Sequence, residues 1–323
     1  VASLFLTAFF LDRLASHKTT KLVTGFIGVL LVGVSSFIMV HLLDMRQTPI
    51  ALRQDMIAVN GQWAEVPNID ILTHHIQLEQ VENRIVSSST LTVKNNHGEP
   101  LTSCYFTLNP GLDISSFTVN DRSVEFERHL QVVSAGSGII IQPGEEAKVK
   151  IDYQGTIWES VAHLEVGQDR YETPKDYLMF SLPKKYAFLQ PDYVLLTTDV
   201  LWYPDTQIGY SRESPRKERT AFVDFALEVK TNEGLMPVSQ GQVTQDGSVF
   251  RFKPEYPLPQ LSLAIGAYEK KELTVDSVTY AVYHYPDGNY TSEHLGQLTD
   301  TLSLLIRDIV NEYEYGQKIT YPF

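Results

Sequence analysis

The sequence predicts a mainly β protein, built of antiparallel sheets or a sandwich, preceded by a transmembrane α-helix and followed by the start of an α+β domain. Three observations carry that prediction. A charge-free apolar run stands near the amino end, period-two alternation dominates 69–272, and strand-then-helix patterning takes over from 273. With 43% hydrophobic and 20% charged residues, the chain has ordinary material for a sizeable core.

Residues 1–53 read as a membrane segment. "VASLFLTAFFL", Val1–Leu11, has the composition of the end of one span. The connector "DRLASHKTTK" sets Arg13, Lys18 and Lys21 against one acid, Asp12. Short basic loops stay cytoplasmic, so the next span should run outward. That span, Leu22–Leu43, contains no Lys, Arg, Asp or Glu. At 1.5 Å per residue it reaches about 33 Å, enough for a bilayer core of ~30 Å. It is too long for the apolar region of a signal peptide. The implied partners are the lipid bilayer and further transmembrane helices, and the implied location is an inner or plasma membrane. Everything after about Asp44 is then extracytoplasmic. Because the chain opens on Val1 and closes on "NEYEYGQKITYPF", we expect a segment of a longer polypeptide.

Residues 54–68 read as a linker, and 69–272 as an extracytoplasmic β domain. "AKVKIDY" places Ala147, Val149, Ile151 and Tyr153 on one face and Lys148, Lys150 and Asp152 on the other. "GIIIQPGEEAKVKIDY" predicts a hairpin turning at Pro143-Gly144. "ILTHHIQL", "LTVKN", "SCYFTL", "FVDFALEV", "SVFRF" and "LSLAIGAY" are further strands between Gly, Pro, Asn and Asp turns. Beyond 273, "TVDSVTYAVYHYP" predicts one long strand. An amphipathic helix follows, capped by Thr291 or Ser292 and ended by Gly316, with Leu295, Leu298, Leu302, Leu305, Ile306, Ile309 and Tyr313 on one face.

Charge excludes one function class. Residues 1–53 hold 5 of the 26 Lys/Arg and 2 of the 39 Asp/Glu, leaving −16 on the remainder. Such a surface repels nucleic acid, and no basic stripe interrupts it. The single cysteine, Cys104, forms no intrachain disulfide and reads as a small core residue.

The chemistry is sparse. His74 and His75 are neighbours on a strand and point to opposite faces, so they read as structural rather than as one metal site. His163-Leu164-Glu165 and Glu293-His294 lack a second histidine at helical spacing. H-E-x-x-H, G-x-S-x-G and the Walker pattern G-x-x-x-x-G-K-[ST] are all absent. Asn289-Tyr290-Thr291 fits a glycosylation sequon. "SAGSG", Ser134–Gly138, has only turn composition. The stretch "LLTTDVLWYPDTQIGY" stands apart, because Trp202, Tyr203, Asp205 and Gln207 crowd aromatic and polar groups in a predicted loop. They form a candidate cleft or interface surface, with an aromatic plug between domains as the alternative. No catalytic, cofactor-binding or metal residue is assigned.

The order of segments nevertheless resembles the amino-terminal, non-catalytic region of the aminopeptidase N family of zinc metallopeptidases. The pieces are "IQLEQVENRIVSSSTLTVKNN", "YFTLNPGLDISSFTVND", "IQPGEEAKVKIDYQGTI" with its trailing Tyr-x-Gly, "LWYPDT", "FVDFALEVKTNEGLMPVSQG", "PQLSLAIGAYEKKEL" and the closing "NEYEYGQKITYPF". The chain also resembles a bacterial subgroup in which an ABC-2 type transporter permease is fused ahead of such a domain. The resemblance implies a saddle-like β domain over 69–272, and 273–323 as the truncated start of a peptidase-like catalytic domain. It also implies zinc and a Glu base in the parent protein, with none of the zinc-binding motifs inside this chain. A separate ATPase subunit would be a further partner. "TTDVLWYPDTQ" departs from the family's usual Gln/Glu and Arg segment, so no substrate-binding residue carries over. The parent is expected to hydrolyse peptides outside the cytoplasm. The alternative is an extracytoplasmic binding domain of an ABC-type permease, without peptidase activity.

Overall fold

The computed structural model describes residues 18–136, 138–164, 185–208, 221–275, 278–286, 307, 308 and 312; side chains are not described for 18–27, 42–49, 273, 275, 278 and 280. Two compact units divide the chain, Val1–Asp55 and Met56–Phe323.

Most of the first unit is helix α1, Lys18–Trp63, which continues into the second. Its apolar run exposes large side chains, including Val29, Phe37 and Val40. Among the described residues no helix is long and apolar enough to cross a membrane. Described side chains of the run extend only from 28 to 41, about 21 Å at 1.5 Å per residue. The ends of the expected span, the preceding span at Val1–Leu11 and most of its connector lie outside them. The stretch read as a linker, 54–68, is helical as far as Trp63.

The second unit is built from strands. β1 (Asp70–Val81) and β2 (Arg84–Lys94) form a hairpin closed at Glu82-Asn83, where Glu82 takes φ 54. β3 (Cys104–Thr107), β4 (Leu112–Val119), β5 (Arg122–Ser123), β6 (Phe126–His129), β7 (Val132–Ala135) and β8 (Glu146–Gly155) follow. After a 3₁₀ turn at Glu159–Val161 come β9 (Ala187–Leu189) and β10 (Tyr193–Leu196). A second 3₁₀ turn, Thr198–Val200, precedes β11 (Asp224–Lys230), β12 (Met236–Val238), β13 (Gln242–Asp246), β14 (Val249–Lys253) and β15 (Leu263–Gly266). The last pair is β16 (Glu269–Val275) and β17 (Val278–His284).

The largest sheet has eight strands in the order β13-β14-β11-β1-β2-β8-β4-β5, beside smaller sheets β12-β15-β10-β9, β3-β7-β6 and β16-β17. Among the described strands pairing is antiparallel except between β1 and β11, which run parallel from Thr73↔Asp224 to Glu79↔Lys230. Alternation sorts the two faces of the large sheet. Ile76, Leu91, Val149 and Leu227 turn inward and are buried. The outer face carries ion pairs such as Lys230–Glu79 at 2.7 Å and Arg251–Glu228 at 2.9 Å, half-exposed and individually weak. Ring contacts join the layers: Phe106 of β3 meets Phe117 of β4 at 5.8 Å.

Glycine is required at the end of β8. Gly155 takes φ +148, and a Cβ there would stand 2.1 Å from the Gly111 carbonyl oxygen. The trailing Tyr-x-Gly is thus a close crossing of two backbones, with Tyr153 buried two residues earlier.

Two local expectations need correction. The turn at Pro143-Gly144 exists, with Gly144 at φ 77 and Glu145 N–H donating to Gln142 O at 2.9 Å. Its first arm does not pair with β8, however; Ile141 bridges Leu101 instead. Both edges of β8 are already taken by β2 and β4, so no hairpin can form there. Likewise "TVDSVTYAVYHYP" is not one strand. β16 starts at Glu269, before that stretch, and pairs with β17 through Val275↔Val278, which leaves a two-residue connection. Most of the predicted helix after it lies outside the described residues; Arg307, Asp308 and Glu312 are helical.

Candidate functional site

The segment singled out by its aromatics begins with a reversal. Leu201 caps the Thr198–Val200 turn in the left-handed region, φ 51 and ψ 48, and turns the chain so that Trp202 enters the core. Trp202 is 0% exposed and Tyr203 5%. Their rings meet edge-to-face at 4.7 Å, and Tyr203 packs against His74 at 5.4 Å and Phe225 at 5.8 Å. The Tyr203 hydroxyl accepts the Leu261 N–H at 3.0 Å. Both aromatics therefore fill the space between β1, β11 and the loop before β15.

Asp205 and Gln207 are half-buried and strap the segment to β3. Thr107 and Asp205 exchange backbone hydrogen bonds at 2.6 and 3.0 Å, and the Thr107 hydroxyl donates to the carbonyls of Asp205 and Gln207. The Asp205 carboxylate accepts the Gln207 N–H at 3.2 Å. Beneath lies a cavity of about 10 Å³, lined by His74, Tyr203, Asp205 and Phe225 among others, room for one water at most. The four residues thus stand together, but the aromatic pair presents no open cleft.

His74 and His75 lie on opposite faces of β1, the first buried and the second exposed. A register break between Ile71 and Thr73 puts Ile71 rather than Leu72 in the core beside it. Burial, reinforced by the His75 charge, pulls the His74 pKa down to about 3, so the ring is neutral. Its Nε2 faces Ser89 Oγ at 2.9 Å, and Ser89 Oγ lies 3.3 Å from the Tyr153 hydroxyl, itself pushed up to about 12 by burial. This line of polar groups is sealed within the core. It orders the interior.

A second polar centre had no sequence signal. Asn109 is fully buried and saturates both ends of its amide. It donates to Val200 O at 2.7 Å and Trp158 O at 3.1 Å, and accepts from Gly111 N–H at 2.9 Å and Trp158 N–H at 3.0 Å. Arg128 donates to the carbonyls of Leu108, Asn109, Leu112 and Leu130 around it. Together they fasten the β3–β4 loop to both 3₁₀ turns.

An open concavity of the second unit lies elsewhere. Gln131, just before β7, donates to Met56 O and Asn60 Oδ1, both at 2.7 Å, and so fixes the end of α1. Trp63 there packs on Tyr105 at 5.3 Å and His129 at 6.3 Å. Beside it is a groove of about 690 Å³, lined by Trp63, Glu125, Phe126, Glu127 and Ser134 among others. A sequence signal did exist, since "VEFERH" alternates acid and aromatic.

Among the described residues no three His, Cys, Asp or Glu side chains gather as metal ligands. Glu293-His294, Glu165 and the 289–291 sequon lie outside them. Cys104 is buried, its thiol pushed up to about 12 by desolvation, and is inert as a nucleophile.

No family model matches the chain, and no curated protein does. Solved structures do. The M1 zinc metallopeptidase from Deinococcus radiodurans aligns at 17% identity and a TM-score of 0.47, covering 68% of this chain and 49% of that one. A mutant of the Deinococcus radiodurans enzyme bound to a Tyr-Ser-Ala substrate gives 15%, 0.47, 69% and 51%. A two-domain M1 zinc metallopeptidase mutant bound to L-arginine gives 16%, 0.47, 68% and 49%. The chain spans about half the length of these structures.

Proposed function

We propose that this chain is the membrane-anchored, non-catalytic amino-terminal portion of an aminopeptidase-like zinc metallopeptidase fused to a transporter permease. One observation carries the reading. Segments quoted for the family resemblance fall, in chain order, on the framework of the second unit: β1–β2, β3–β4, β8, β11–β12 and β15–β16.

Anchoring is supported by the charge-free stretch Leu22–Leu43 and by the exposed apolar side chains along its described part. Under this reading residues after about Asp44 are extracytoplasmic at an inner or plasma membrane. Under this reading zinc and its base would be supplied by the catalytic part of the parent, and we derive no catalytic step here. The β unit would cover and help close the neighbouring catalytic domain.

The test is the parent protein. Its coding sequence should run past Phe323 into H-E-x-x-H with a later Glu ligand, and the purified parent should hydrolyse aminoacyl p-nitroanilides in a chelator-sensitive way. The 323-residue chain should show no such hydrolysis. A peptidase-length extension without the motif, or a parent inert with zinc present, overturns the reading in favour of a binding domain of an ABC-type permease. The unusual "TTDVLWYPDTQ" segment is what favours that second reading.

A further inference from the structure

The groove beside Trp63 has a chemistry of its own. Its charge has one sign: Glu125 and Glu127 are exposed on it, and no Lys or Arg lines it among the described residues. Among the described residues Glu127 pairs with a half-exposed His129, at 3.5 Å. One wall is an indole held by Tyr105 and His129, a flat surface of negative potential that attracts cations. Ser134 supplies a small polar floor, opposite Glu127 in the β6–β7 register. Finally, β6 is the outer strand of β3-β7-β6, so among the described residues no strand pairs with its free edge.

A strand edge offers backbone hydrogen bonds to an extended chain, and pockets beside it select alternate side chains. Paired carboxylates and an indole select a cation with a flat or extended shape. We propose that this groove binds an extended basic peptide segment. The segment lies alongside β6 and lays one arginine or lysine on Trp63, with its charged head between Glu125 and Glu127. Arginine is the better fit, because its planar guanidinium both stacks and donates in a fork. The net −16 of residues 54–323 steers such a segment inward. The proposal requires neither peptidase activity nor membrane insertion.

The test uses the full chain in detergent and a fluorescein-labelled Thr-Arg-Val-Arg-Thr peptide, read by anisotropy. Binding should saturate, and replacing both arginines by citrulline should weaken it about tenfold or more. Glu125→Gln with Glu127→Gln should do the same, while Trp63→Phe, which keeps an aromatic on Tyr105, should weaken it about threefold. The control removes equal charge elsewhere, at exposed Glu99 and Glu255, by Glu→Gln, and should leave binding within about twofold. Equal loss in the control would reduce the effect to bulk charge and overturn the proposal. So would an arginine peptide that binds no better than its citrulline form. Unchanged circular dichroism in each variant separates lost binding from lost folding.

Discussion

His74 lies in the middle of β1 with its ring sealed in the core and one nitrogen on Ser89. In the folded protein it stays neutral down to about pH 3, whereas the unfolded chain takes up the proton near 6.5. Between those values the unfolded state binds more protons. Stability is therefore complete above about pH 6.5 and falls as pH drops toward 3, by up to about 1.4 kcal/mol per pH unit. Replacing His74→Leu should flatten that acid limb in urea unfolding measured from pH 7 to 4, relative to the parent chain. An unchanged slope would show that other groups dominate. The alternation of "ILTHHIQL" was enough to place the two histidines on opposite faces. It could not place Leu72, because a register break is a property of the pair β1–β2 and leaves no mark in one strand. Trp202 and Tyr203 stayed open between a cleft surface and an aromatic plug for a related reason. Outside a strand no period says which side chain turns inward, and a left-handed Leu201 decides it.

Strands with long alternation, β1, β2, β8 and β11, were legible as elements. The pairing of β1 with β2 was legible as well, as the strand pair in "IQLEQVENRIVSSSTLTVKNN"; the other partners were not, and the short strands β6 and β7 passed unnoticed. "AKVKIDY" announces a two-faced strand, yet its pairing with β2 and β4 rather than with the segment before it depends on which edges remain free. The same holds for β16 and β17, where β-branched and aromatic residues stand on both sides of Asp276-Ser277 and read as one strand. At this scale the tightest constraint is the crossing at the end of β8. Gly155→Ala would force a side chain into the Gly111 carbonyl at a backbone angle that resists one, and should cost about 2–4 kcal/mol in urea unfolding. Gly98→Ala, where a Cβ meets nothing within 4 Å, is the control and should stay within about 0.5 kcal/mol. A Gly155→Ala protein as stable as its parent would mean the strand end relaxes freely.

Charge divides the whole chain, basic before residue 53 and strongly acidic after it. Under the anchored reading, the chain expressed in a bacterial host should sediment with membranes and resist carbonate extraction. Protease added to spheroplasts should then degrade the β unit. Release by carbonate would defeat the membrane assignment while leaving the fold untouched. The parallel pairing of β1 with β11 has a different consequence, for synthesis. Glu79 and Lys230 are 151 residues apart, yet their strands are neighbours at the centre of the large sheet. At roughly 5–20 residues per second, a ribosome needs on the order of 8–30 s to supply β11 after β1 has emerged. Throughout that interval the β1–β2 hairpin waits with one edge bare. The nascent chain is then most open to wrong partners, and a holding chaperone would be most useful there.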